Sequence, residues 1–123
     1  MSLPRALLIQ HALALTEQLQ RFKTPTTGEP VDPSIPAQVL RYVQTRPTLP
    51  ELHSFLSGLP ASSVGMLTRS SGPQTQEVVR RVRDLVAVLS RQAAEPEVMA
   101  GLAVVLAWTR RMLVASERGV RMA

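Results

Sequence analysis

Residues 98–108, VMAGLAVVLAW, are the longest uncharged apolar run in this chain. A helix that is apolar nearly all round has no face to offer water, so it belongs at the centre of other elements. The run has about half of the roughly 20 residues that a membrane span requires, so it reads as a core helix. Glu95-Pro96-Glu97 opens it, with acidic side chains where the positive end of the helix dipole favours them. From Arg110 to Arg118 the pattern turns amphipathic. The expected element is one helix over about 95–118, and the rest of the chain must wrap it.

The wrapping elements are also helical. Leu8, His11, Ala12, Leu15 and Leu19 make one stripe of a helix over about 3–22, with Ser2 as its cap and Pro4 in the first turn. Residues 24–33, TPTTGEPVDP, hold three prolines and a glycine and read as a loop. Ser34 is expected to cap a second helix to about Arg46, with Ile35, Val39, Leu40 and Val43 inward and Pro47 ending it. The stretch 48–67, TLPELHSFLSGLPASSVGML, reads as two short helices. Thr48 and Glu51 have capping-box spacing, Gly58 suits the left-handed end of the first helix, and Pro60 suits the start of the second. Ser71 and Gln74 repeat the box spacing before a helix over 73–92, in which Val78, Val82, Leu85 and Leu89 face inward beside Val79 and Val86. No strand alternation, internal repeat or low-complexity segment is present. The expected fold is all-α, a single compact bundle of about six helices over 1–123, with residues 119–123 frayed.

At 123 residues the chain suits one domain, and aromatics at 3% imply a core of Leu, Val and Ala. Cysteine is absent, which excludes disulfides and thiolate metal sites. Gln10, His11 and Glu17 interrupt the only apolar stretch near the N-terminus, so no signal peptide is read and a soluble, cytoplasmic protein is expected. No exposed apolar stripe is expected on the surface helices, and the isolated chain should be mostly monomeric at micromolar concentration.

Chemistry-bearing patterns are sparse. His11 sits among Leu7, Leu8 and Leu15 as a core-edge side chain, and His53 neighbours Glu51 on a short helix. Two histidines with one remote carboxylate fall short of the four ligands of a structural metal site. Ser62, Ser63, Ser70 and Ser71 fall at turns, without the base and acid that a hydrolase requires. No phosphate-binding glycine loop or nucleophile elbow occurs. No catalytic residue, metal, cofactor or small-molecule substrate is expected, and the chain is read as a non-enzyme.

The charge points elsewhere. The formal charge is +5, and all 14 basic side chains except Lys23 are arginines. Residues 69–123 carry nine basic against five acidic side chains, so the excess lies in the C-terminal half. Arginine forks match phosphate geometry. On a helical wheel Arg80, Arg83 and Arg91 fall within about 80° of one another, with Arg81 beside them. Glu77, Asp84 and Ala87 share this stripe, where Glu77–Arg81 and Arg80–Asp84 could pair at i, i+4. Arg110, Arg111 and Arg118 form a second group, on the side that carries Ala100, Ala103 and Ala107. These seven arginines are the candidate RNA-backbone contacts; a solvated, salt-bridged face is the competing reading. Trp108 reads as core, and with Tyr42 the only tyrosine no base-stacking platform is evident.

Three segments together resemble the small subunit of the Cmr-type (type III-B) CRISPR effector complex. RALLIQHALALTEQL at 5–19 looks like the family's opening helix, and LPELHSFLSGLPASSVGML at 49–67 is similar to its hallmark LP start and GL turn. GLAVVLAWTRRMLVA at 101–115 resembles its last helix. The resemblance implies a non-catalytic, all-helical subunit in antiviral defence. It would stack with copies of itself beside other Cmr subunits and face guide and target RNA, while other subunits perform the chemistry. Only Arg110 and Arg111 lie within a matching motif. Gly65-Met66 stands where the family pattern suggests an aromatic, and the 24–33 loop has no counterpart. The related Csm-type small subunit, a helical protein–protein adaptor without RNA binding and a small DNA-binding regulator are the alternatives.

Overall fold

The computed structural model describes residues 3–23, 31–62 and 71–117. Five helices account for most of them: α1 (Arg5–Arg21), α2 (Ser34–Val43), α3 (Leu49–Ser62), α4 (Ser71–Ser90) and α5 (Glu95–Glu117). There is no strand among the described residues. The all-α expectation holds, with five helices in place of about six.

The change in count arises between residues 49 and 62. Gly58 does not adopt a left-handed conformation; it lies inside α3, with open space where a side chain would be. Pro60 falls in the last turn of the same helix, which forgoes the bond an N–H at 60 would make to the Leu56 carbonyl and continues for only two further residues. A separate helix from Pro60 to Thr68 therefore does not begin there, and residues 63–70 lie outside the described ones. The same is true of Ser2, of 24–30 in the proline-rich loop, and of the end expected to fray at 119–123.

Local hydrogen bonds explain the remaining boundaries. Pro4, not Ser2, is the N-cap of α1, and its carbonyl accepts the Leu8 N–H. Ser34 is the first residue of α2 rather than its cap; Pro33 is the N-cap, and Asp32 Oδ1 just before it accepts the Ser34 N–H at 2.8 Å. The Asp32 N–H in turn donates to Gln74 Oε1 at 2.8 Å, which ties the entry of α2 to α4; the Ser71 side chain of the expected capping box lies outside the described ones. α2 ends at Val43, earlier than expected. Thr45 and Arg46 continue it as a tighter turn to the carbonyls of Tyr42 and Val43, and Arg46 adopts φ 59°. The Thr48–Glu51 box forms as expected: the Thr48 N–H donates to Glu51 Oε1 at 2.8 Å and the Glu51 N–H to Thr48 Oγ1 at 3.3 Å.

α5 is the hub. It packs most extensively on α1 and α2 and also on α4, while α3 closes against α4 and α2. Val98, Leu102, Val105 and Leu106 are at most 1% exposed. The predicted stripes are buried on α1, α2 and α4, save His11 at the edge of the first: Leu8, Ala12, Leu15 and Leu19; Ile35, Val39, Leu40 and Val43; Val78, Val82, Leu85 and Leu89. Gly101 lets α1 come close, because a Cβ there would meet Leu3 and Leu8 methyl groups at 2.9 and 3.1 Å. The Thr109 hydroxyl is satisfied inside the core by the Val105 carbonyl at 2.8 Å. Tyr42 and Phe55 stack with centroids 4.1 Å apart and pin α2 to α3.

By length and composition α5 is apolar enough to cross a membrane over Glu95–Ser116, with mean hydropathy 1.6, yet only half of that window is buried in the bundle. The all-round apolar surface was expected to be wholly enclosed. It is not: Val104 is 36% exposed, and Ala100 is also open to solvent.

Candidate nucleic-acid interface

The arginines expected to form one row on the fifth predicted helix, now α4, diverge. Successive residues on a helix turn by 100°, so Arg81 and Arg83 leave opposite flanks of the stripe on which Arg80 sits. Arg81 turns toward α1. Its Nε donates to Glu77 Oε2 at 2.8 Å, and it lines a small cavity of about 140 Å³ with His11, Gln18 and Asp84. His11 is half-buried at this edge, with Nε2 enclosed and without a hydrogen-bond partner among the described residues. Arg83 turns toward α3, where Nη2 donates to Ser57 Oγ at 2.5 Å and to the His53 carbonyl at 3.4 Å. It is a strut between two helices, with its Nε enclosed.

Arg80 points outward, with 62% of its side chain exposed, and lies 3.3 Å from Glu77 Oε1. Glu77, expected on the solvent stripe, is buried under the two arginines that it pairs with. The expected Glu77–Arg81 pair is present, while Arg80 pairs with Glu77 in place of Asp84. Arg91 lies past the end of α4, in the turn where its N–H donates to the Val88 carbonyl, and is exposed. The four side chains therefore do not make one continuous row.

The second group divides as well. Arg111 lies over the Trp108 ring at 5.5 Å from its centroid, a cation–π contact on the open side of α5. Trp108 is half-buried and packs against the core, as expected. Arg118 lies outside the described residues. Arg110 lines a groove of about 470 Å³ between α2 and α5, to which α2 contributes Arg41. The other walls are Pro33, Ser34, Ala37, Leu40, Gln44 and Val114, with no carboxylate among them. Neither guanidinium has an ion-pair or hydrogen-bond partner among the described residues.

Arg41 was not singled out in the sequence. Its position in the last turn of α2 accounts for it as a cation near a helix C-terminus, a placement that the dipole alone favours. Nothing in the local pattern indicates that α5 will carry Arg110 to the same groove, since the two lie 69 positions apart. Chemically the groove can attract a polyanion: two forks from opposite walls, apolar floor residues and no competing acid among the described residues. The described residues contain no cluster of three His, Asp or Glu side chains able to hold a metal. Compared with known protein families, characterised proteins and solved structures, the chain matches none.

Proposed function

We propose that this chain is a non-catalytic helical subunit of a type III-B CRISPR ribonucleoprotein, akin to the Cmr small subunit, and that it holds RNA backbone in the groove between α2 and α5. The observation that carries the RNA contact is that Arg41 and Arg110 line one groove, with no carboxylate among its described walls. The described parts of the three segments that carry the resemblance fall on α1, α3 and α5, which supports their reading as packing elements of one bundle. Arg80 and Arg91, exposed on α4 and after it, extend the basic surface. Arg81 and Arg83 contribute less than the sequence suggested, because Glu77, Ser57 and the His53 carbonyl already engage them. In this role the protein works in the cytoplasm beside other subunits and further copies of itself, and guide and target RNA are its nucleic-acid partners.

Phosphate contacts carry no sequence information, so binding should be indifferent to base sequence and steeply dependent on salt. The test is fluorescence anisotropy of the chain with an unstructured oligouridine across a salt series. Replacing Arg41 and Arg110 together by Gln should weaken binding and reduce the log–log salt slope by about 1.4, some 0.7 for each phosphate contact removed from a single strand. Absence of RNA binding, or a double variant with unchanged affinity and slope, overturns the proposal and leaves a protein–protein adaptor. Sequencing of RNA that co-purifies with the tagged protein would show a guide population if the assignment to a CRISPR complex is right.

A further inference from the structure

The groove lined by Arg41 and Arg110 continues past the last turn of α2. A second groove of about 580 Å³, lined by Val43, Pro47, Pro96, Met99, Ala100 and Ala103, shares Gln44 with the first. The two thus run on into one furrow between α2 and α5. On a helical wheel Pro96, Ala100, Ala103, Arg110 and Val114 fall within about 80° of one another, so a single face of α5 walls the whole furrow over about 27 Å. α2 runs the opposite way along it. Ser34 and Ala37 share the first groove with Val114, and Val43 shares the second with Met99.

The two halves differ in chemistry. Arg41 and Arg110 have no carboxylate among the described walls of their half. The start of α2 adds no anion site there. The Ser34, Ile35 and Ala37 N–H groups are taken by Asp32 Oδ1, the Asp32 carbonyl and the Pro33 carbonyl, and Pro36 has none. A phosphate is therefore drawn to the two guanidiniums, and Arg41 lies one turn from Gln44. In the other half Arg46 and Glu95 carry opposite charges, and Glu95 Oε1 already accepts the Leu49 N–H, so charge gives that half no preference for an anion. It presents apolar surface instead, with Gln44, Thr48 and Ala100 exposed to water along it. Its volume lies within the roughly 300–1,000 Å³ of small-ligand sites. An anion site that leads into an apolar groove with a wet, polar rim matches a nucleotide, whose phosphate leads to a base with apolar faces and polar edges. A long acyl chain suits an open furrow less, because much of its length would stay in water.

We propose that the apolar half of the furrow takes an unpaired base of the RNA strand whose phosphate lies at Arg41 and Arg110, so that the site selects a base-bearing single strand over phosphate alone. The inference rests on the reading of the basic half as an RNA-backbone contact. No aromatic side chain is among the described residues that line the furrow, so the base is held by burial of its faces without stacking, and its identity changes affinity little. A base inside a duplex, its faces covered by the neighbours in the stack, cannot enter.

Fluorescence anisotropy of the full chain compares a labelled oligouridine with an abasic ribose–phosphate oligomer of the same length at one salt concentration. The oligouridine should bind about tenfold tighter, since the phosphates are equal in number and only the bases differ. Ala100 is exposed, so Ala100→Leu narrows the apolar half without altering the core. It should remove most of the difference while the abasic oligomer binds as before, with an unchanged circular dichroism spectrum and thermal midpoint. Ala103→Leu, a second variant in the same groove, should act alike. Equal affinity of the parent chain for the two oligomers overturns the base site and leaves the backbone contact standing, whereas absence of binding to either overturns both readings. Leu variants that keep the full difference, or that lose affinity for both oligomers alike, also overturn the base site. So does displacement of the oligouridine by dodecyl phosphate at concentrations at which the abasic oligomer does not displace it.

Discussion

Glu51 illustrates how a single exposed side chain takes part in folding. Its carboxylate accepts the Thr48 N–H, and the Thr48 backbone and hydroxyl together hold its pKa below the usual glutamate range. A native pKa lower than the unfolded one means that the unfolded state binds the proton more readily. The contribution of Glu51 is therefore fully present above the unfolded pKa and is lost as pH falls through the native one. Urea midpoints measured between about pH 3 and pH 6 should fall less steeply toward acid in Glu51→Gln than in the parent chain. Gln can still accept the Thr48 N–H, so the two proteins should differ little near neutrality. Equal slopes in acid would remove Glu51 from the account. The Leu49 N–H, which the box leaves over, is met by Glu95 Oε1 at 3.2 Å, a carboxylate from the start of α5.

At the scale of the element, α4 shows how one amphipathic pattern carries two roles. Its inward face is the Val78–Leu89 stripe, legible from spacing alone. Its outward face looked like a uniform basic row, yet the neighbours of each arginine set its task. Arg83 joins α4 to α3 through Ser57 and the His53 carbonyl, whereas Arg80 has only a mostly exposed pair with Glu77. Arg83→Ala should lower the unfolding free energy by about 1–2 kcal/mol, from lost charged hydrogen bonds and lost packing of the stem. Arg80→Ala should stay within roughly 0.5 kcal/mol, as exposed pairs do. Chemical denaturation of the two variants side by side decides this, and equal losses would deny Arg83 its role as a strut. Neutralising Arg80, Arg83 and Arg91 together, which a helical wheel presents as harmless to the fold, is accordingly not a clean test of RNA contact.

For the whole molecule, stability centres on α5, because three of the four other helices pack against it. Leu102 and Leu106 are both 0% exposed, so truncation to Ala should cost about 2–5 kcal/mol for either. Val104, on the open side of the same helix, should lose well under 1 kcal/mol on truncation in the monomer, since little of its surroundings collapses. Thermal unfolding of the three variants at low protein concentration checks both statements together. Similar losses at 102 and 104 would mean that α5 is enclosed on all sides.

The helical class, the inward stripes of all the wrapping helices, the Thr48–Glu51 box and the central place of α5 were legible in the sequence. Each depends on residues within a few positions of one another, where helical geometry alone fixes who is neighbour to whom. The end of α3, the cap of α2 and the fate of Gln74 were not legible, because tertiary partners compete for the same groups. Gly58 and Pro60 permit a break without compelling one, and Gln74 Oε1 accepts from Asp32, 42 positions away. The candidate site depended most on tertiary structure. Arg41, Arg80, Arg81, Arg83, Arg110 and Arg111 share one local description, a cation on a polar helix face, and packing separates them. It lays Arg83 against α3 and Arg81 against α1, and it sets Arg41 and Arg110 along one groove from distant parts of the chain. Sequence determines which side chains leave the core; the relative placement of the helices decides which of them meet, since spacing along one helix holds no information about the face of another.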